Sequence, residues 1–225
     1  RERPNFSFSK ISLDDRDLPR MTHNGIRPKA YYAYDLASGC VIGYSHCREK
    51  TTNLFLDCIR SMFRLIYKND WGIPGEVEGE NHLVRQFKDT IMEPGIIFPM
   101  VHWCAPTNSQ EKGAEHLNRA KKYSVEKKNH AGIGRWWLKL SANKVYDKKV
   151  FDEKNNTYVD KKTYEYEELI ADDVADIIEF NNMLHPNQKK YPGMTRWQVL
   201  CGNMNPNLRK MNKKEVIRQI GYCTP

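Results

Sequence analysis

Ala30–Ser45 reads AYYAYDLASGCVIGYS, two short runs of small, aromatic and β-branched residues around the break Asp35-Leu36-Ala37-Ser38-Gly39. Runs of that composition fit a half-buried pleated surface, and Asp, Ser and Gly suit a tight loop. The stretch predicts a β-hairpin with strands Ala30–Tyr34 and Cys40–Ser45. Working outward, Phe6–Leu13 (FSFSKISL) alternates apolar and polar residues and predicts a strand that closes at Asp14-Asp15. On the other side, Thr51-Thr52-Asn53 can cap a helix running to about Lys68, with Leu54, Cys58, Ile59, Met62, Phe63 and Ile66 on one face. Gly72-Ile73-Pro74-Gly75 breaks it. A short strand, Glu76–Glu80, an amphipathic segment to about Thr90 and an apolar strand, Ile96–Val101, follow. The order is antiparallel strands first, then alternation of strand and helix. That predicts an α/β fold: a mixed five-stranded sheet with helices on both faces.

Beyond this core, Glu153-Lys154-Asn155-Asn156 reads as the tip of a hairpin between VYDKKVFD and TYVDKKTYEY. Asp172–Leu184 predicts a helix and Thr195–Leu200 a shorter one, and the last residues are basic. We therefore expect a core over residues 1–135 and an extension over 136–225 (hairpin plus helices) leading toward a further domain. A chain that begins at Arg1 reads as a piece of something longer.

The 36 basic residues outnumber the 28 acidic ones, giving a net charge of +8, which suits a polyanion such as nucleic acid. The six cysteines show no CxxC pair, and neither His46-Cys47 nor His102-Trp103-Cys104 has zinc-finger spacing. The residues show no signal-peptide pattern and no apolar run long enough to span a bilayer, so neither export nor a membrane is expected.

Pro106–Lys128, PTNSQEKGAEHLNRAKKYSVEKK, places one carboxylate, Glu115, at the start of a helix rich in cations. At 100° per residue, Glu115, Arg119 and Lys122 lie within about 60° of one another, while Ala114, Leu117 and Ala120 turn another way. Two other acids stand at the ends of predicted strands: Asp14 after the first and Glu80 after the fourth. If those strands are neighbours, Asp14, Glu80 and Glu115 converge. Three carboxylates without His or Cys suit Mg²⁺ or Mn²⁺. Asp15 and Asp17 are alternatives to Asp14, and Glu78 to Glu80. Asp35 reads as a loop cap, and would replace Asp14 if Asp14 lay elsewhere.

Four segments, in order, resemble the catalytic core of the DDE-type transposase and retroviral integrase superfamily, phage Mu-like transposases included, whose fold is RNase H-like. They are Ile11-Ser12-Leu13-Asp14; Ile26-Arg27-Pro28-Lys29 followed by AYYAYDLASGCVIGY; Gly72-Ile73-Pro74 with Glu80-Asn81; and Asn108–Lys122, with Lys112-Gly113, Glu115, Asn118, Arg119 and Lys122. Asn181-Asn182, His185-Pro186 and Gly193-Met194-Thr195 are similar to a stretch that often follows the core. Glu80 precedes Glu115 by 35 positions, close to the family's spacing, although the family usually has Asp there.

The resemblance implies a metal-dependent polynucleotidyl transferase and DNA endonuclease that cleaves and joins DNA during transposition. Asp14, Glu80 and Glu115 would be its catalytic metal ligands for two Mg²⁺ or Mn²⁺ ions. Arg119, Lys121, Lys122 and Lys127 would contact DNA. Trp103, Trp136, Trp137 and Trp197 either stack on bases or pack in the core. The partners implied are DNA, both element ends and target, and further copies of the chain, with no membrane. The location implied is the cytoplasm, at the bacterial nucleoid. The alternatives are an RNase H-like nuclease that cuts without joining, and an inactive DNA-binding assembly subunit.

Overall fold

The computed structural model describes residues 4–105, 112–130, 149–152, 154, 156–160 and 164–221. Its centre is a five-stranded sheet in the order β3-β2-β1-β5-β6. The strands are β1 (Lys10–Asp17), β2 (Lys29–Asp35), β3 (Val41–Cys47), β5 (Glu76–Glu80) and β6 (Met100–Cys104). The hairpin predicted at residues 30–45 is present: β2 pairs antiparallel with both β1 and β3. β5 lies parallel to β1 and β6 parallel to β5, so the sheet is mixed.

Strand alternation gives β1 two chemistries. Ile11 and Leu13 join a core with Tyr31, Ala33, Ile42 and Val77, covered by α1 (Thr52–Lys68) through Leu54, Phe55, Cys58, Ile59, Met62, Phe63 and Ile66. Gly43 lets α1 come this close, since a Cβ there would lie 2.7 Å from Met62 Cβ. On the opposite face Tyr32, Tyr34 and Val41 pack with Ala114, Leu117, Val125, Ile177 and Phe180. These belong to α3 (Gly113–Lys121), the wide π-helical turn Lys122–Glu126 and α5 (Tyr166–Asn182), with α4 (Lys127–Asn129) continuing the turn. Helices therefore cover both faces, as the pattern predicts.

Two predicted strands are displaced. β1 does not close at Asp14-Asp15 but runs to Asp17, because β2 keeps pairing with it as far as Asp17 opposite Lys29. The apolar run Ile96–Val101 is mostly not strand. Ile97 and Phe98 are buried in the core from a turn, and β6 begins at Met100. α5 starts at Tyr166, ahead of the predicted Asp172. The amphipathic segment after Glu80 is a short α2 (Asn81–Val84) with a 3₁₀ turn, Arg85–Phe87.

β4 (Gly72–Ile73), β7 (Lys149–Asp152), β8 (Thr157–Asp160), α6 (Arg196–Gly202), β9 (Arg209–Lys210) and α7 (Lys213–Ile220) complete the described elements. β7 and β8 form the hairpin expected around residues 153–156. β9 pairs with β4, and Val216 and Ile220 of α7 join the α1-side core, so the basic C-terminal stretch folds back against β4 and α1. Trp103 and Trp197 are partly buried against that core, with Trp197 beside Trp71 at 6.1 Å, matching the packing reading. Trp136, Trp137 and residues 106–111 lie outside the described residues.

Candidate functional site

The parallel ladder of β1 and β5 ends at Ser12 opposite Glu78. Two residues further along each strand come Asp14 and Glu80, on the face that α3 covers. The Lys112 ammonium, just before α3, bridges them: it contacts Asp14 Oδ1 and lies 3.1 Å from Glu80 Oε1. The other Asp14 oxygen accepts a 2.6 Å hydrogen bond from Asn118 Nδ2, and Asn118 Oδ1 accepts one of 2.7 Å from Tyr34 OH. Asp14 is thus oriented by α3 and by the neighbouring strand. Burial raises the Asp14 carboxyl above its ordinary pKa, outweighing the opposite pull of Lys112 and Asn118. Burial also works against the Lys112 charge, but Asp14 and Glu80 win and hold its pKa above the ordinary value.

The alternatives to these two acids have other tasks. Asp15 points to the α1 face and pairs with Lys50 at 2.6 Å, and Asp17 pairs with Lys29 at 2.7 Å near the surface. Glu78 is fully buried, with Oε1 accepting from Gly113 N at 2.7 Å and Oε2 lying 2.9 Å from Lys10. Burial opposes its charge, but hydrogen bonds from Ser12, Lys10 and Gly113 hold the carboxyl below its ordinary pKa. Glu78 and Ser12, which accepts from Ala114 N at 2.8 Å, occupy the first two free amide donors of the α3 N-terminus. Gly113 leaves room here for the Leu36 methyls, which a Cβ would meet at 2.6 Å and push aside. Asp35 is the buried loop cap expected: it accepts from Phe8 N, Ser38 N and Ser38 Oγ at 2.6–2.8 Å.

Glu115 sits in the first turn of α3 with its side chain exposed. Among the described residues no group of three His, Cys, Asp or Glu side chains stands close enough to hold a metal ion. The structure thus brings Asp14 and Glu80 together and leaves Glu115 outside their pair. An oxygen-only pair that already accommodates an ammonium fits a hard divalent cation. Asp14 and Glu80 are the residues that would hold it, with Glu115 on the adjacent helix turn.

Arg119 and Lys122 share the outer face with Glu115, as the helical spacing predicts. Arg119, Lys122 and Lys127 all approach the exposed Tyr123 ring, at 6.0, 5.4 and 5.8 Å from its centroid. Tyr123 was not singled out from the sequence, although an aromatic amid cations is a legible signal. Lys121 requires a correction. It is fully buried, 2.7 Å from Asp173 Oδ1 and 2.8 Å from Glu126 Oε1, and is no surface contact for DNA. Its spacing from Ala114, seven residues, puts it on the inward stripe. Its pairing with Glu126, five residues on, depends on the π-helical turn, because a regular α-helix would set the two about 140° apart.

No family model matches the chain, and no curated protein is similar in sequence. Among solved structures, a chain of the simian T-cell lymphotropic virus intasome bound to the PP2A regulatory subunit B56 gamma is similar, with a TM-score of 0.53 and 12% identity. The match covers 94% of this chain but only 61% of that one. The catalytic core domain of BIV integrase matches at a TM-score of 0.42 with 13% identity, over 86% of this chain and 94% of that one, too loosely to carry weight. The likeness to the intasome chain shows a shared fold, here a mixed five-stranded sheet between helical layers.

Proposed function

We propose that this chain is the core of a DNA transposase or integrase that cuts and joins strands with divalent metal. One observation carries the reading. Asp14 and Glu80 extend from adjacent parallel strands onto a single cationic group, beside the helix that carries Glu115. Two carboxylates at the ends of adjacent strands, with a third on the neighbouring helix, are a set suited to phosphoryl transfer once a metal ion draws them together. Mg²⁺ or Mn²⁺ held there would supply Lewis-acid activation and neutralise charge on the leaving oxygen.

The chain's own residues do the rest. Asn118 and Tyr34 fix the orientation of Asp14. The exposed Arg119 and the half-buried Lys122 and Lys127 form a basic face one to three helical turns beyond Glu115, placed to hold a phosphate backbone, with Tyr123 offering a stacking surface. The DNA partner is an element end or its target, and the integrase-like fold supports assembly of several copies on DNA. No described helix is long and apolar enough to cross a membrane.

The test is an assay on a labelled duplex with Mn²⁺ or Mg²⁺. Cut and joined products are expected, and both should fall by about a hundredfold or more in Asp14→Asn and Glu115→Gln. Full activity in either variant would remove that residue from the site. A specific observation favours a second reading: Lys112 already neutralises part of the carboxylate pair, as in a DNA-binding subunit that performs no chemistry. DNA binding with no product under any metal would establish that one, and cut but unjoined ends would mark a nuclease.

A further inference from the structure

We infer that Lys112 is a built-in counter-cation which a divalent ion must displace from Asp14 and Glu80. The inference rests on the reading of those two acids as metal ligands. The Lys112 side chain is only 5% exposed, and both of its ion-pair partners are the proposed ligands. One ammonium between two carboxylates leaves a net negative charge, which a divalent ion would cancel. Lys112 takes Asp14 Oδ1 and Glu80 Oε1, and Asn118 takes the other Asp14 oxygen, so a metal ion held by both acids needs the place of the ammonium. Occupation by Lys112 and by metal are therefore mutually exclusive.

The backbone allows the exchange. The start of α3 is pinned at Gly113 N by Glu78 and at Ala114 N by Ser12, and Glu78 is itself held by Lys10. None of these contacts involves the Lys112 side chain. A four-carbon stem can therefore swing out while Asn118 keeps its hold on Asp14. The device makes the cleft selective by charge. A monovalent ion gains nothing over the ammonium it would replace, whereas a divalent ion gains a full unit of charge. The displaced ammonium, released at the mouth of the cleft, becomes available to a phosphate brought there with the metal.

The experiment is Mn²⁺ titration calorimetry at fixed pH on the wild-type chain, Lys112→Met, Lys112→Arg and Asp14→Asn. Lys112→Met should bind Mn²⁺ about tenfold more tightly, because the competing cation is gone. Lys112→Arg, which keeps the charge, should stay near wild type, and Asp14→Asn should lose binding. Without metal Lys112→Met should melt at a lower temperature than wild type, and Mn²⁺ should recover the difference. A second measurement does not depend on a folded variant. In wild type, Lys112 should resist acetylation in EDTA and become labelled in Mn²⁺, read by mass spectrometry. Unchanged Mn²⁺ affinity in Lys112→Met, or Lys112 labelling indifferent to Mn²⁺, would overturn the inference while the metal reading stood. Absence of Mn²⁺ binding in wild type and Lys112→Met alike would overturn both.

Discussion

Asn118 shows how one side chain couples three elements: its amide nitrogen holds Asp14 on β1, its amide oxygen takes the hydroxyl of Tyr34 on β2, and its backbone belongs to α3. Replacing it frees one Asp14 oxygen and strands a buried phenol. Groups that orient a metal ligand commonly contribute 10–100-fold to metal affinity. Asn118→Ala is expected to weaken Mn²⁺ binding within that range, with CD showing the fold intact, and an unchanged dissociation constant would contradict the role. At this scale the sequence was informative in part. Strand alternation after Ile11 and Leu13 favours Asp14 over Asp15, and in the structure the two meet different cations, Asp14 meeting Lys112 and Asp15 meeting Lys50. Glu78 and Glu80 cannot be separated that way, since both fall on one face of β5. Only the position of the α3 N-terminus, which takes Glu78, tells them apart. Lys112 was legible merely as part of a turn, because its partners lie 98 and 32 positions away in sequence.

Among elements, the helix from Gly113 to Asn129 departs furthest from what its sequence suggested. Its outer cations follow from simple periodicity, but the inward Lys121 does not look like a core residue until Asp173 on α5 is placed beside it. The hairpin at residues 30–45 was readable because loop chemistry and strand composition agree locally. β6 was misplaced because Ile97 and Phe98 are buried from a turn, and apolar runs alone do not separate strand from buried turn. On the outer face, the proposed DNA contact predicts separable effects. Tyr123→Ala should weaken binding to a duplex with frayed ends by about 1–3 kcal/mol if a base stacks on the ring. Lys122→Ala should weaken all sequences alike and reduce the salt slope of binding by about one. Equal affinities across both variants in a salt-resolved binding assay would move the interface elsewhere.

Across the whole molecule, a charge network ties α5 to the sheet. Asp173 receives Tyr32 OH and Lys121 and lies 2.7 Å from His46 Nε2, while Glu126 takes both Arg16 guanidinium nitrogens. Burial opposes both acids, but Lys121 and His46 hold Asp173, and Arg16 and Lys121 hold Glu126, below their ordinary values of 3.8 and 4.5. For such depressed acids the stabilisation is complete above the ordinary values and is lost as pH falls through the still lower folded-state values. Urea midpoints are therefore expected to fall steeply below about pH 4. Asp173→Asn should flatten that acid limb and cost on the order of 3 kcal/mol at neutral pH, because it leaves Lys121 undercompensated. An acid limb identical to wild type would assign it to other carboxylates.

The wide turn at Lys122–Glu126 has a consequence for how this chain tolerates change. By inserting one residue into the ladder it shifts the downstream half in phase by about 100° relative to a straight α-helix. The upstream half aims Glu115 and Arg119 at solvent, and the downstream half returns Val125 and Glu126 to the interior. The slip separates two sets of obligations along a single rod. Residues on the outer track can drift to suit a new substrate, while the inner track, bound to α5 and the sheet, keeps the rod in place. Deleting one residue from the turn would merge the tracks and swing the Arg16 partner away, so here length is constrained more tightly than identity.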